Sequence, residues 1–266
     1  MSMPSKGLKV LFVGDVFAST GRRLLERFLD DVRQEHGIDF IVANAENAAG
    51  GRGVTPEIAK HFFSIGVDVL TTGNHVFDQK EILPFLEEEP RLLRPANFSV
   101  RTPGRGHGCF AVNEGEGMVA VINLQGRVYM PPNGDCPFAR ADEILKDLPE
   151  GVPVVVDFHA EATSEKQAMA CYLDGRVSAL VGTHTHVQTA DATVLPKGAA
   201  FITDSGMTGP KESVIGMRAD RVIEKFLTGM PAKFEPANGP GIFCAVVIDI
   251  GQGGRANRIF TVRLEE

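Results

Sequence analysis

Short apolar runs that stop at polar residues alternate along this chain with segments whose apolar positions recur at helical spacing. Residues 8–13 form the first such run, which halts at Gly14-Asp15 and reads as a buried strand. Residues 22–35 carry Leu24, Leu25, Phe28, Leu29 and Val32 on one helical face. Residues 40–43 predict a second strand, ending in Asn44-Ala45-Glu46-Asn47. After Gly50-Gly51-Arg52-Gly53, Thr55-Pro56-Glu57 has the chemistry of a helix start, with a cap and a proline at the first position. Residues 67–70 predict a third strand running into Thr71-Thr72-Gly73-Asn74-His75, and a helix follows near residues 80–88. Such alternation points to an α/β fold, in which ligands gather at the carboxyl ends of strands.

The middle is less regular. Residues 110–112 and 118–123 predict antiparallel strands, 124–138 a long loop, and 139–148 a helix. The apolar run 152–158 ends in His159-Ala160-Glu161, and a helix opens at Ser164-Glu165-Lys166. Ala179-Leu180-Val181 leads into Gly182-Thr183-His184-Thr185-His186. Residues 200–203 run into Asp204-Ser205-Gly206-Met207, residues 219–227 read as helical, and 243–250 and 259–264 as two closing strands. The candidate ligands span most of the chain, so a single domain over residues 1–266 is expected, with 1–6 as a disordered lead.

Charge and cysteine narrow the function. Across 266 residues, 34 acidic side chains outnumber 27 basic ones and the net charge is −7, which argues against general nucleic-acid binding. No apolar run approaches the length of a membrane span, and no signal segment opens the chain. Cys109, Cys136, Cys171 and Cys244 are scattered without metal-binding spacing and read as reduced thiols of a cytoplasmic protein.

The strand tips carry the candidate chemistry. Asp15, Glu46 with Asn47, Asn74 with His75, His159, His184 and His186 each follow a strand-like run. In an extended segment His184 and His186 would point to the same side, suited to a metal. Alone, each motif has a plain reading: a turn at Gly14-Asp15, a capped loop at Glu46-Asn47, a core histidine at His159, surface histidines at His184 and His186. Together they offer carboxylate, amide and imidazole donors that suit zinc, manganese or iron, and more of them than one tetrahedral ion uses. Two ions sharing a carboxylate would use the whole set.

This order of motifs resembles the calcineurin-like metallophosphoesterases, whose pattern is DxH, GD, GNH, an isolated H and GHxH at successive strand ends. The chain departs from it at Phe17, where the DxH histidine is replaced, at Glu46, which stands for the bridging Asp, and at Val76 after the GNH triple. Those departures resemble a narrower bacterial branch, the YmdB-like cyclic-nucleotide phosphodiesterases. Its segments read here as Gly14-Asp15-Val16 with Gly21-Arg22, Asn44-Ala45-Glu46-Asn47, Thr72-Gly73-Asn74-His75 with Asp78, Gly182 through Asp191, and Asp204 through Gly209.

The resemblance implies a four-layer metallophosphoesterase sandwich of two mixed sheets flanked by helices. It implies two transition-metal ions per chain, one on Asp15, Glu46, Asn47 and His186, the other on Glu46, Asn74, His159 and His184, with Glu46 as the bridge. Asn47 takes the place of the missing histidine, which favours a harder ion: iron first, with manganese or zinc as alternatives. The implied reaction is hydrolysis of a small phosphodiester, a 2′,3′- or 3′,5′-cyclic nucleotide. A hydroxide bridging the ions attacks, and His75 acts as proton donor rather than ligand. A homo-oligomer is also implied. A regulatory module that binds a cyclic nucleotide or a partner protein with little turnover stays open, as does an esterase for another phosphoester.

Overall fold

The structure, a computed structural model, describes residues 7–112 and 117–266; the expected lead at 1–6 lies outside the described residues. Its first sheet grows from two crossover units. β1 (Leu8–Val13), α1 (Ala18–His36), β3 (Phe40–Asn44), α2 (Pro56–Ser64) and β4 (Val69–Thr71) follow one another, and the three strands pair in parallel, β1 to β3 and β3 to β4. The long β12 (Gly241–Ile250) pairs antiparallel with β11 (Met207–Pro210) at its start and with β1 over the rest of its length. β13 (Ala256–Glu265) also pairs antiparallel with β12. β11 in turn pairs with β2 (Asp15–Val16), which completes a seven-stranded sheet.

A six-stranded second sheet repeats the theme. β5 (His107–Val112) and β6 (Gly117–Gln125) form an antiparallel pair, as their sequence predicts. β6, β7 (Val154–His159), β8 (Ala179–Thr183) and β10 (Ala200–Ile202) are parallel neighbours in that order. The short β9 (Thr193–Val194) closes the edge. α4 (Pro137–Asp147) and α5 (Thr163–Leu173) provide the crossovers. α3 (Ile82–Glu88) and α6 (Ala219–Thr228) complete the six helices among the described residues.

The period of two along each strand sorts side chains into layers. In β1, Leu11 and Val13 join a core shared with Leu25, Leu29 and Phe62 of the first pair of helices. Leu8, Val10 and Phe12 point the other way, into a core shared with Val119, Val121, Val155 and Val181 of the second sheet. In that sheet Ile122, Val156 and Phe158 face Ile144, Met169 and Leu173 of α4 and α5. Three apolar interfaces between four layers make this the expected α/β metallophosphoesterase sandwich of two mixed sheets flanked by helices.

Local chemistry explains most boundaries. Thr55 caps α2 by accepting the Ile58 amide at 3.2 Å, with Pro56 at the first position. α1 begins four residues before the expected 22, and long-range packing is the reason. Phe17 donates its amide to the Thr208 carbonyl at 2.8 Å, and a Cβ at Gly21 would stand 2.3 Å from that same oxygen. Only glycine lets the first turn of the helix lie that close to β11. The strands β2, β9 and β11 were not expected. They have two to four residues each, and β2 and β11 exist because they pair with each other across the chain.

The four cysteines are unpaired, as expected. No helix among the described residues is long and apolar enough to cross a membrane.

One buried ion pair ties the second sheet to the loops above it. Lys166 Nζ of α5 lies 2.8 Å from Asp204 Oδ2, and neither side chain has exposed surface. The same carboxylate accepts the Thr185 amide at 3.0 Å, the Thr185 hydroxyl at 2.8 Å and the Gly206 amide at 2.9 Å. Replacing one partner leaves a buried charge uncompensated, so Lys166→Met should lower the unfolding free energy by about 3–5 kcal/mol in urea denaturation.

Candidate metal centre

The sequence-derived candidates come together at the carboxyl edges of both sheets. Asp15 follows β1 and is fully buried, its amide donating to the Gly206 carbonyl at 3.0 Å. Glu46 and Asn47 sit in the turn after β3, and Asn74 and His75 in the turn after β4. His159 is the last residue of β7, and His184 and His186 leave β8. Gly73 shows how tight the convergence is. A Cβ there would stand 2.2 Å from both Glu46 Oε2 and His159 Cδ2.

Two groups of donors emerge, and one oxygen serves both. In the first, His159 Nε2 lies 2.9 Å from Glu46 Oε1, 3.2 Å from Asn74 Oδ1 and 3.0 Å from His184 Nδ1. In the second, the Asn47 amide nitrogen donates to the same Glu46 Oε1 at 3.2 Å and faces His186 Nε2 at 3.1 Å. Asp15 Oδ2 accepts the His184 amide at 3.1 Å, whereas its Oδ1 is buried with no partner among the described residues. A buried carboxylate oxygen without a donor is costly unless a cation meets it. The donors are carboxylate, imidazole and amide, the set that suits a first-row transition metal. The residues therefore fit the metal ions that a metallophosphoesterase fold implies, and Glu46, His159 and His184 alone form a compact cluster of candidate ligands.

His75 stands apart from both groups. Its side chain is 27% exposed; its amide donates to Glu46 Oε2 at 3.3 Å and its Nδ1 to Asp78 Oδ2 at 2.9 Å. A carboxylate can only accept, so the Asp78 bond leaves Nε2 of the neutral ring as the free nitrogen.

The spacing argument for His184 and His186 needs correction. β8 ends at Thr183, and both histidines have left-handed backbones, with φ of 101° and 67°. They therefore diverge instead of sharing a face as an extended pair would. His184 turns toward His159, and His186 toward Asn47, its Nδ1 donating to the Ile215 carbonyl at 2.9 Å. Non-glycine residues persist at such φ only when their surroundings fix them. Here the fixing contacts are the Asp15 and Asp204 carboxylates, which accept the His184 and Thr185 amides.

Hydrogen bonds behind the ligands set which nitrogen is available. His159 Nδ1 donates to Thr183 Oγ1 at 2.8 Å, and Thr183 donates onward to Asp157 Oδ1 at 2.7 Å. The Asn44 amide closes the chain on Asp157 Oδ2 at 3.0 Å. This relay commits Nδ1 to the protein and aims Nε2 into the centre. The Ile215 carbonyl does the same for His186.

Burial and charge oppose one another here. Burial pushes the Asp15 carboxyl up to about 6, against the pull of His186 and His159. Burial acts the same way on Glu46, but the charge and hydrogen bond of His159, helped by His75 and His184, hold it at about 2. His159 loses to burial and gains more from Glu46, Asp15 and Asp157, which raises it to about 9. Burial and the neighbouring His159 charge push His184 down to about 3. A proton on His159 Nε2 thus lies among Glu46 Oε1, Asn74 Oδ1 and His184 Nδ1.

The sequence profile of the YmdB-like protein family matches residues 11–262. The chain belongs to the YmdB-like family. A Bacillus subtilis relative described as a 2′,3′-cyclic-nucleotide 2′-phosphodiesterase is 47% identical over 244 residues, 91% of each chain. A solved Thermus thermophilus structure described as a hypothetical protein is 41% identical with a TM-score of 0.91, covering 97% of this chain and 100% of its own. A solved Mycoplasma pneumoniae structure described as a novel phosphatase is 32% identical with a TM-score of 0.92, covering 98% of this chain and 94% of its own.

Several residues of this YmdB-like site were not singled out from sequence. Asp157 interrupts an otherwise apolar strand, a readable sign of a buried carboxylate with partners. Thr183 and Asp204 lie inside segments that carry the resemblance but were given no role, and Lys166 carries no local signal, because their roles depend on residues far along the chain. Phe17, where the broader pattern has histidine, is buried; its ring packs edge-on against His186 with centroids 5.7 Å apart.

Breaking the relay tests its role. Thr183→Val should weaken binding of Mn²⁺ by about 10–100-fold, measured by competition with a chromogenic chelator, while the fold stays intact.

Proposed function

We propose that this chain hydrolyses phosphodiesters at a dinuclear metal centre, with 2′,3′- or 3′,5′-cyclic nucleotides as its substrate class. The observation that carries this reading is Glu46 Oε1, shared by the group of Asn74, His159 and His184 and the pair of Asn47 and His186, with the Asp15 carboxylate accepting the His184 amide beside them. The Bacillus subtilis relative supports the substrate class through its own description. Asp15, Glu46, Asn47 and His186 would hold one ion, and Glu46, Asn74, His159 and His184 the other. For the first, the Asn47 amide turns over to present its oxygen. Bound ions supply Lewis acidity, which lowers the pKa of water and offsets charge on phosphoryl oxygens. Iron is the favoured metal, because Asn47 gives an oxygen where the wider pattern gives nitrogen; manganese and zinc are the alternatives.

The protein's own groups account for the remaining steps. The relay through Thr183 and Asp157, and the Ile215 carbonyl, keep two imidazoles oriented before substrate arrives. His75 gives the proton. Its Nδ1–H donates to Asp78, which orients the ring, and the protonated ring would deliver its Nε2–H to the leaving alkoxide and return to the neutral form. In a cyclic nucleotide that alkoxide stays on the ribose as the ring P–O bond breaks.

Three outcomes are expected. Purified protein reconstituted with Fe or Mn should contain close to two ions per chain by elemental analysis, and finding none would overturn the dinuclear reading. His75→Ala should keep its metals and lose about 10²–10⁴-fold in kcat, the usual contribution of general-acid catalysis. A screen against bis-p-nitrophenyl phosphate, p-nitrophenyl phosphate and cyclic nucleotides should show diester turnover well above monoester turnover. No turnover on any of them favours the regulatory module.

Loading should also be linked to protons. Metal competes with the proton that Glu46 holds on His159 up to about 9 and with the one that burial holds on Asp15 up to about 6. Deprotonated ligands bind, so apparent affinity should rise with pH and level off above about 9. Calorimetry in buffers of different ionisation enthalpy measures the release directly; at neutral pH it should approach one proton per chain.

A further inference from the structure

Glu161 lies two residues beyond His159, in the short segment between β7 and α5, and its side chain is 49% exposed. Its Oε2 stands 3.1 Å from Nε2 of His184. The other ring nitrogen of His184, Nδ1, points to His159 Nε2 at 3.0 Å, within the first donor group. The two ring nitrogens of a neutral imidazole cannot both be donors, and a carboxylate only accepts. If the proton sat on Nδ1 it would face the centre and close that position to a cation. If it sits on Nε2, Nδ1 offers a lone pair.

His184 needs such a partner more than the other two imidazoles do. His159 Nδ1 and His186 Nδ1 are committed to Thr183 and to the Ile215 carbonyl. For His184 the corresponding outward contact is Glu161. Elsewhere, carboxylates that accept from a ligating imidazole fix both its tautomer and its ring plane.

We propose that Glu161 is a positioning residue that holds His184 in its Nε2–H tautomer and so keeps Nδ1 available to the metal. This rests on the reading of His184 as a ligand. Glu161 touches neither donor group's centre and acts only through the ring.

Two measurements test it, and the first needs no metal. Long-range ¹H–¹⁵N correlation of metal-free protein, with the His184 resonances assigned by their loss in His184→Gln, should show the Nε2–H tautomer in the wild type and in Glu161→Gln. The glutamine keeps an oxygen acceptor. With all variants read above about pH 9, where His159 no longer carries the Nε2 proton that faces His184 Nδ1, the Glu161→Ala signals should shift toward a mixture of tautomers. The second reads Mn²⁺ affinity by equilibrium dialysis: Glu161→Ala should bind one of its ions about 10–100-fold more weakly, and Glu161→Gln should recover most of that loss. A wild-type His184 in the Nδ1–H form would overturn the proposal. So would a glutamine variant as impaired as alanine, or an alanine variant with unchanged tautomer and affinity. Failure of the phosphodiesterase reading would appear separately, as metal-loaded wild type without diester turnover.

Discussion

A lysine ammonium and a carboxylate with no exposed surface, Lys166 and Asp204, hold the second sheet's loops in place. Asp204 follows β10, Lys166 rises from α5, and Thr185 hangs on the same carboxylate between the two divergent histidines. Removing both charges from water is expensive, and the pair is stable only because amides and a hydroxyl take up the remaining valences of Asp204. The left-handed residues on either side of Thr185 depend on that anchor. The segment from Glu161 into α5 thus supports the site at two points: Glu161 toward His184, and Lys166 on Asp204.

The same physics makes the centre responsive. Asp15, Glu46 and His159 are buried together, so each sees the others' charge with little water to screen it. Burial lifts Asp15 and favours its neutral form, while the Glu46 to His159 contact favours a charged pair. These opposed tendencies in neighbouring side chains place the centre's proton affinity in the range where metals compete. The relay through Thr183 and Asp157 has no such freedom: each hydrogen bond in it has one direction, and that direction fixes the ligand.

The architecture was largely legible in the sequence because apolar runs and helical faces report burial directly. The runs at residues 8–13, 40–43 and 152–158 became β1, β3 and β7, and the residues after them became the site. Long-range events were the ones that escaped. β2 and β11 are strands only because they meet each other, and α1 starts early only because Gly21 packs on Thr208. The candidate ligands were readable as a set of strand tips, yet His184 and His186 diverge because left-handed backbone is invisible in an HxH spacing. Asp157 was readable in principle, as a charge inside an apolar strand. Glu161 was not, since nothing local distinguishes it from an exposed carboxylate ahead of a helix.

Glu46 Oε1 is met by His159 from one side and by the Asn47 amide from the other, so a single carboxylate oxygen couples the turn after β3 to the end of β7, and any change in its reach is felt on both sides.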